Sequence, residues 1–154
     1  MSRRPFSLQL YALVAGAFEP LTPWLLARRA ARGKEDPARL GERRGFAGRP
    51  RPKGPLVWLH GASVGEAISM APLIDRIAAE RPDVTLLVTT GTRTSAELLA
   101  SQRPPGVIHQ YAPLDTPQAA ARFIAHWRPG LAIFVESELW PNLLAAAKAG
   151  GARL

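Results

Sequence analysis

From residue 55 onward the apolar positions fall into short unbroken runs, each followed by a stretch of helical spacing. Pro55-Leu-Val-Trp-Leu-His60 closes on a glycine-rich turn, and behind it Val64, Ala67, Ile68, Ala71, Ile74, Ile77 and Ala78 recur every three or four residues. This reads as strand, turn, helix. Thr85-Leu-Leu-Val-Thr-Thr90 repeats the pattern, with Ala96, Leu98 and Leu99 in the helix after Gly91. After the third run, Val107-Ile-His-Gln-Tyr111, Thr116-Pro117 joins an N-cap hydroxyl to a first-turn proline, and Ala120, Phe123, Ile124 and Trp127 share one helix face. The fourth, Leu131-Ala-Ile-Phe-Val135, leads through Glu136-Ser-Glu-Leu-Trp-Pro141 to a helix bearing Leu143, Leu144 and Ala147. Pro72 lies inside the first periodic stretch, where an interior proline costs about 3 kcal/mol, so a kink or restart is expected there.

Apolar strands alternating with helices imply a parallel sheet with helices on both faces, a doubly wound, Rossmann-like α/β fold. Ligands bind such sheets beyond the carboxyl ends of the strands. The segments to inspect are therefore His60–Glu66, Thr89–Ser95, Tyr111–Asp115 and Glu136–Asn142.

The N-terminal stretch differs. Residues 6–27 run for 22 residues with one charge, Glu19, which is long enough to cross a hydrocarbon layer roughly 30 Å thick. Glu19, Pro20 and Pro23 weigh against a clean crossing, because a central carboxylate costs about 2.5–3.5 kcal/mol and proline disturbs the helix. No small-residue cleavage site follows, so a signal peptide fits less well. The stretch 1–27 reads as an N-terminal membrane anchor, spanning the bilayer or lying in its interface; the plainer alternative is a helix docked on the domain.

Charge sharpens this division. The net charge is +8, yet residues 54–154 carry eight basic and eight acidic side chains and sum to zero. Residues 28–53 carry ten basic residues against Glu35, Asp36 and Glu42. Placed directly after an apolar stretch, this patch favours the cytoplasmic side and anionic lipid, with Arg28, Arg29, Arg32, Arg43 and Arg44 as candidate phosphate contacts; otherwise it is a solvated linker. No RNA- or DNA-reading motif accompanies it, and no nucleic-acid partner is expected. The chain has no cysteine, which excludes disulfides and thiolate metal sites, and its three histidines are too far apart for a local metal motif.

The loops carry the candidate chemistry. In His60-Gly-Ala-Ser-Val-Gly-Glu66, Glu66 falls where a helix N-terminus favours an anion, so it is either a helix-start acid or a carboxylate poised to accept a proton. Neither a dinucleotide fingerprint nor a P-loop is present. Thr89-Thr-Gly-Thr-Arg-Thr-Ser95 suits an anionic or polyhydroxyl ligand, or simply caps a helix. Glu136 and Glu138 lie two apart after a buried strand, where a carboxylate is costly unless paired or used.

Taken in order, Arg39-Leu-Gly-Glu-Arg-Arg-Gly-Phe46, His60-Gly-Ala-Ser-Val-Gly-Glu66, Thr89-Thr-Gly-Thr-Arg-Thr94, Tyr111-Ala-Pro-Leu-Asp115 and Glu136-Ser-Glu-Leu-Trp-Pro-Asn142 resemble the N-terminal half of the 3-deoxy-D-manno-octulosonic acid (Kdo) transferases of lipopolysaccharide synthesis. The likeness covers essentially the whole chain. It implies one half of a two-domain glycosyltransferase of paired Rossmann-like halves: residues 54–154 would bind the lipid A precursor, and a donor half beyond Leu154 would bind CMP-Kdo. On this likeness the chain is a fragment, inactive alone, and a family lysine lies in the absent half. Glu66 would be the proton acceptor and Glu136 the transition-state stabiliser. Ser63, Gly65, Thr89, Thr90, Thr92, Arg93, Glu138 and Asn142 would line the substrate site, with no cofactor and no metal. The enzyme would sit on the cytoplasmic face of the inner membrane. Ser95 stands where the family usually has glycine. A fifth strand is expected to begin at Ala152-Arg153-Leu154.

Overall fold

The computed structural model describes residues 5–135 and 139–154. Four parallel strands, β1 (Leu56–Gly61), β2 (Thr85–Thr90), β3 (Ile108–Tyr111) and β4 (Leu131–Phe134), form one sheet in the order β3-β2-β1-β4. His60 of β1 stands between Thr89 of β2 and Phe134 of β4. An isolated parallel bridge joins Leu131 to Arg153 outside β4, within the segment expected to begin a fifth strand. The strand order reverses between β1 and β4, and that switch point is where an open α/β sheet offers a crevice.

Because successive side chains on a strand point to opposite faces, each strand feeds two cores. Leu59, Leu86 and Val88 meet Ala67, Met70 and Ile74 of α4 (Val64–Glu80) and Leu99 of α5 (Arg93–Gln102). Leu56, Trp58 and Leu87 meet Phe123, Ile124 and Trp127 of α6 (Pro117–Trp127) and Leu143 and Ala147 of α7 (Pro141–Ala149). The fold is the expected α/β sandwich. Thr116 caps α6, accepting from Ala119 N at 3.2 Å, with Pro117 in the first turn. Of the kink or restart expected at Pro72, the restart does not occur: α4 runs through it, with Met70 and Ile74 on either side each 1% exposed.

Residues 5–46 wrap this body. Helix α1 (Phe6–Ala17) buries none of its residues; a 3₁₀ turn (Glu19–Leu21) leads to α2 (Thr22–Ala31), and a second 3₁₀ turn (Pro37–Arg39) leads to the short α3 (Leu40–Arg43). Residues 39–42 cover the open edge of β3, where Arg39 Nη2 donates to His109 O at 3.1 Å and Glu42 accepts from Tyr111 N at 2.7 Å. Side chains thus satisfy polar groups that an edge strand would otherwise offer to another chain. Gly45, at φ +84°, turns the chain against α6, where a Cβ would lie 2.1 Å from Ala119 O. This part of the basic segment is therefore built into the domain rather than being a solvated linker.

Candidate active site

The carboxyl end of β1 runs straight into the start of α4. Ser63 is the N-cap: its hydroxyl accepts from Glu66 N at 3.2 Å, and Glu66 Oε2 accepts from Ser63 N at 2.8 Å, a reciprocal capping box. Glu66 Oε1 has no hydrogen-bond partner among the described residues. Gly61 makes this turn possible, because a Cβ there would come 3.0 Å from Glu66 Cβ and 2.9 Å from the end of Met70. The helix therefore begins directly over the strand, with one acidic side chain at the mouth.

Beside it, Val135 N donates to His60 O at 2.8 Å, so the pairing of β1 with β4 extends to the residue before Glu136. Glu136 and Glu138 themselves lie outside the described residues. The far end of their loop is fixed by Asp115, which sits after β3. Trp140 supplies no cap to α7; instead Asp115 Oδ1 accepts from Leu143 N at 2.8 Å and Oδ2 from Asn142 N at 3.2 Å, while Asn142 Nδ2 donates to Asp115 O at 2.7 Å. A carboxylate is favoured there by the free amides and dipole of the helix start. Beneath the mouth lies His60, fully buried, with Nδ1 2.8 Å from Thr89 Oγ1 and its ring edge-on to Trp140 at 6.1 Å. Among the described residues, no group of three or more His, Asp and Glu side chains is placed to hold a metal ion.

A model of the family described as 3-deoxy-D-manno-octulosonic-acid transferase (kdotransferase) matches residues 38–154. The chain belongs to the Kdo transferase family. It is 42% identical over 142 residues to a probable mitochondrial 3-deoxy-D-manno-octulosonic acid transferase of Arabidopsis thaliana, covering 92% of this chain and 32% of that one. It is 35% identical over 137 residues to the transferase of Rickettsia bellii, covering 89% and 33%, and 41% identical over 109 residues to that of Haemophilus influenzae, covering 69% and 25%. The chain thus spans about a third of the length of the first two relatives. Proteins of this family are glycosyltransferases.

Against the family pattern, Ser63, Gly65 and Glu66 stand together at the mouth, the first and last joined in the capping box. Four other expected substrate contacts are engaged by partners within the chain. Thr89 and Thr90 are fully buried: Thr89 Oγ1 accepts from Trp58 Nε1 at 2.8 Å, and Thr90 Oγ1 lies 3.0 Å from His109 Nε2. Consecutive in β2, the two side chains point to opposite faces of the sheet, and each is engaged there by a buried or part-buried neighbour. Thr92 caps α5 with Ser95, whose hydroxyl accepts from Thr92 N at 3.3 Å; the serine in place of glycine is thereby put to use. Asn142 is 7% exposed and spent on Asp115. Arg93 remains half-exposed, donating to Gly33 O at 3.3 Å.

The candidate phosphate contacts also divide. Arg43 is not a membrane contact. It is 8% exposed, paired to Glu35 through Nε at 3.0 Å, and donates to Ala112 O at 2.8 Å and Gly91 O at 3.0 Å. One guanidinium so ties the loops after β2 and β3 together. Arg29 shares Glu35 at 2.8 Å, and Arg44 buries its Nε beside Phe46. Only Arg28 and Arg32 of that set are exposed. Nearby, burial together with Arg39 and Arg103 pushes the His109 imidazole down to about 3. Arg39 Nη2, which can only donate, lies 3.1 Å from His109 Nδ1, so that nitrogen accepts and the ring is neutral.

Sequence reasoning placed Asp115 at a strand end and within the family likeness but missed its role as the cap of α7, because its partners lie 27 and 28 residues on. It took Glu19 only as an obstacle to membrane crossing, whereas Glu19 pairs with Arg122 and accepts from Thr116. No local signal marks either tie.

Proposed function

We propose that this chain is the acceptor-binding half of an enzyme that moves Kdo from CMP-Kdo to a lipid A precursor, with no cofactor and no metal. The observation that carries the reading is the Glu66 carboxylate, fixed at the carboxyl end of β1 beside the β1/β4 switch point. A sugar hydroxyl is a poor nucleophile until a base takes its proton, a contribution of typically about 10²–10⁴-fold. Glu66 accepts that proton as the hydroxyl oxygen bonds to the anomeric carbon of Kdo and CMP departs with the bonding electrons, an inverting displacement. Glu136, on the adjoining loop, is assigned to stabilise the transition state. Ser63, Gly65 and Arg93 are the contacts offered to the acceptor from the described residues.

The N-terminal arm supports a lipid acceptor. Phe6, Leu13, Val14, Phe18, Leu21 and Trp24 are each at least half exposed, and Phe6–Ala31 is long and apolar enough to cross a membrane. Glu19, midway along it, is bound to Thr116 and Arg122 of the body, which favours an arm lying in the interface over one threaded through the bilayer. Arg28 and Arg32 then face anionic headgroups on the cytoplasmic side of the inner membrane.

The division of labour is tested by binding. The 154-residue chain should bind vesicles containing lipid A precursor more tightly than the same vesicles without it, and should show no affinity for CMP or CMP-Kdo. Equal binding to both vesicles would leave a non-catalytic membrane module; binding of the nucleotide here would refute the assignment to the acceptor half.

A further inference from the structure

Asp115 joins three elements that are distant in sequence. Besides capping α7, its Oδ2 accepts from the phenol of Tyr11 at 2.9 Å, 104 residues away in α1. Leu114 N donates to Arg43 O at 2.7 Å, so the segment carrying Asp115 is also fixed from behind by α3. With a residue exposure of 9%, the carboxylate is held by two backbone amides and one hydroxyl, all donors. Val135 is thus tied to β1 and the start of α7 to Asp115, and the second tie is shared with the exposed apolar arm.

We propose that Asp115 is a positioning residue for the start of α7, which begins five residues after Glu136 in the sequence, and that the Tyr11 hydroxyl makes that start depend on the seating of α1. The proposal rests on the transferase reading for its consequence in catalysis, though not for the coupling itself. Neither side chain is assigned contact with substrate. Asp115 sets where α7 begins, hence where the five residues between Val135 and Pro141 end. Tyr11 carries one of its three donors, so lifting α1 from the body frees an acceptor at the helix start and loosens that end.

Two measurements test this separately. In this chain, hydrogen exchange at the Asn142 and Leu143 amides should quicken about tenfold in Asp115→Asn, where one capping oxygen becomes an amide nitrogen, and about threefold in Tyr11→Phe, which removes a single hydroxyl from a helix with no buried residue. Unchanged exchange in a folded Tyr11→Phe protein overturns the coupling, whatever the activity proves to be. In the complete transferase, Tyr11→Phe should lower kcat about fivefold with KM for both substrates, melting temperature and vesicle binding unchanged. A kcat equal to wild type overturns the catalytic consequence. A wild-type enzyme with no Kdo transfer would fault the functional reading instead, and the exchange result would still decide the coupling.

Discussion

At the scale of single residues, the protein keeps several polar groups buried by giving each a fixed donor or acceptor. His109 shows this most sharply, since Arg39 requires its Nδ1 to accept and Thr90 Oγ1 receives the other nitrogen. The folded chain therefore holds this ring neutral down to about pH 3, whereas in the unfolded chain it titrates near its ordinary value. Below about pH 6.5 the unfolded state binds the extra proton, so stability is unaffected above that pH and falls as pH drops, by up to about 2 kcal/mol at pH 5. Denaturant melts at pH 7 and pH 5 should show this loss in wild type and a flatter response in His109→Gln. Histidine composition gave no hint of it, because the shift comes from burial of the ring in the fold and then from where Arg39 and Arg103 fall around it.

At the scale of elements, sequence periodicity revealed strands and helices well and their caps in part. Thr116-Pro117 and Ser63-x-x-Glu66 are local patterns and could be read directly; the cap of α7 could not, since it comes from Asp115. The basic segment was the least legible element. Its charge count marks a surface patch, yet α3 faces inward: Arg43 joins Glu35 to two loop carbonyls, and only Arg28 and Arg32 of the candidate contacts stay exposed. The two kinds of arginine should separate on mutation. Arg43→Met leaves Glu35 without its buried partner and should cost about 3–5 kcal/mol in unfolding free energy, with vesicle affinity unchanged when measured on folded protein. Replacing Arg28 and Arg32 together by Gln should leave stability within about 0.5 kcal/mol and weaken binding to anionic vesicles by about 2 kcal/mol, roughly 30-fold.

At the scale of the whole molecule, the order β3-β2-β1-β4 places the loops after β1 and β4 side by side and so defines the mouth. Four apolar runs alternating with helices give the parallel sheet and the importance of its carboxyl ends, but not this strand order. What periodicity cannot supply is how the arm meets the body, because Tyr11 to Asp115 and Glu19 to Arg122 span more than a hundred residues. These ties join the apolar arm to the body at Asp115 and Arg122, an arrangement that suits the membrane-borne acceptor proposed above. Glu66 lies at the centre of the account, and its two roles can be parted because glutamine also completes a capping box. The decisive measurement is the steady-state rate of Kdo transfer by the complete enzyme carrying Glu66→Gln, with its melting temperature taken in parallel. The account predicts an unchanged melting temperature and a kcat at least about 100-fold lower; a rate within about twofold of wild type would show that Glu66 only caps a helix.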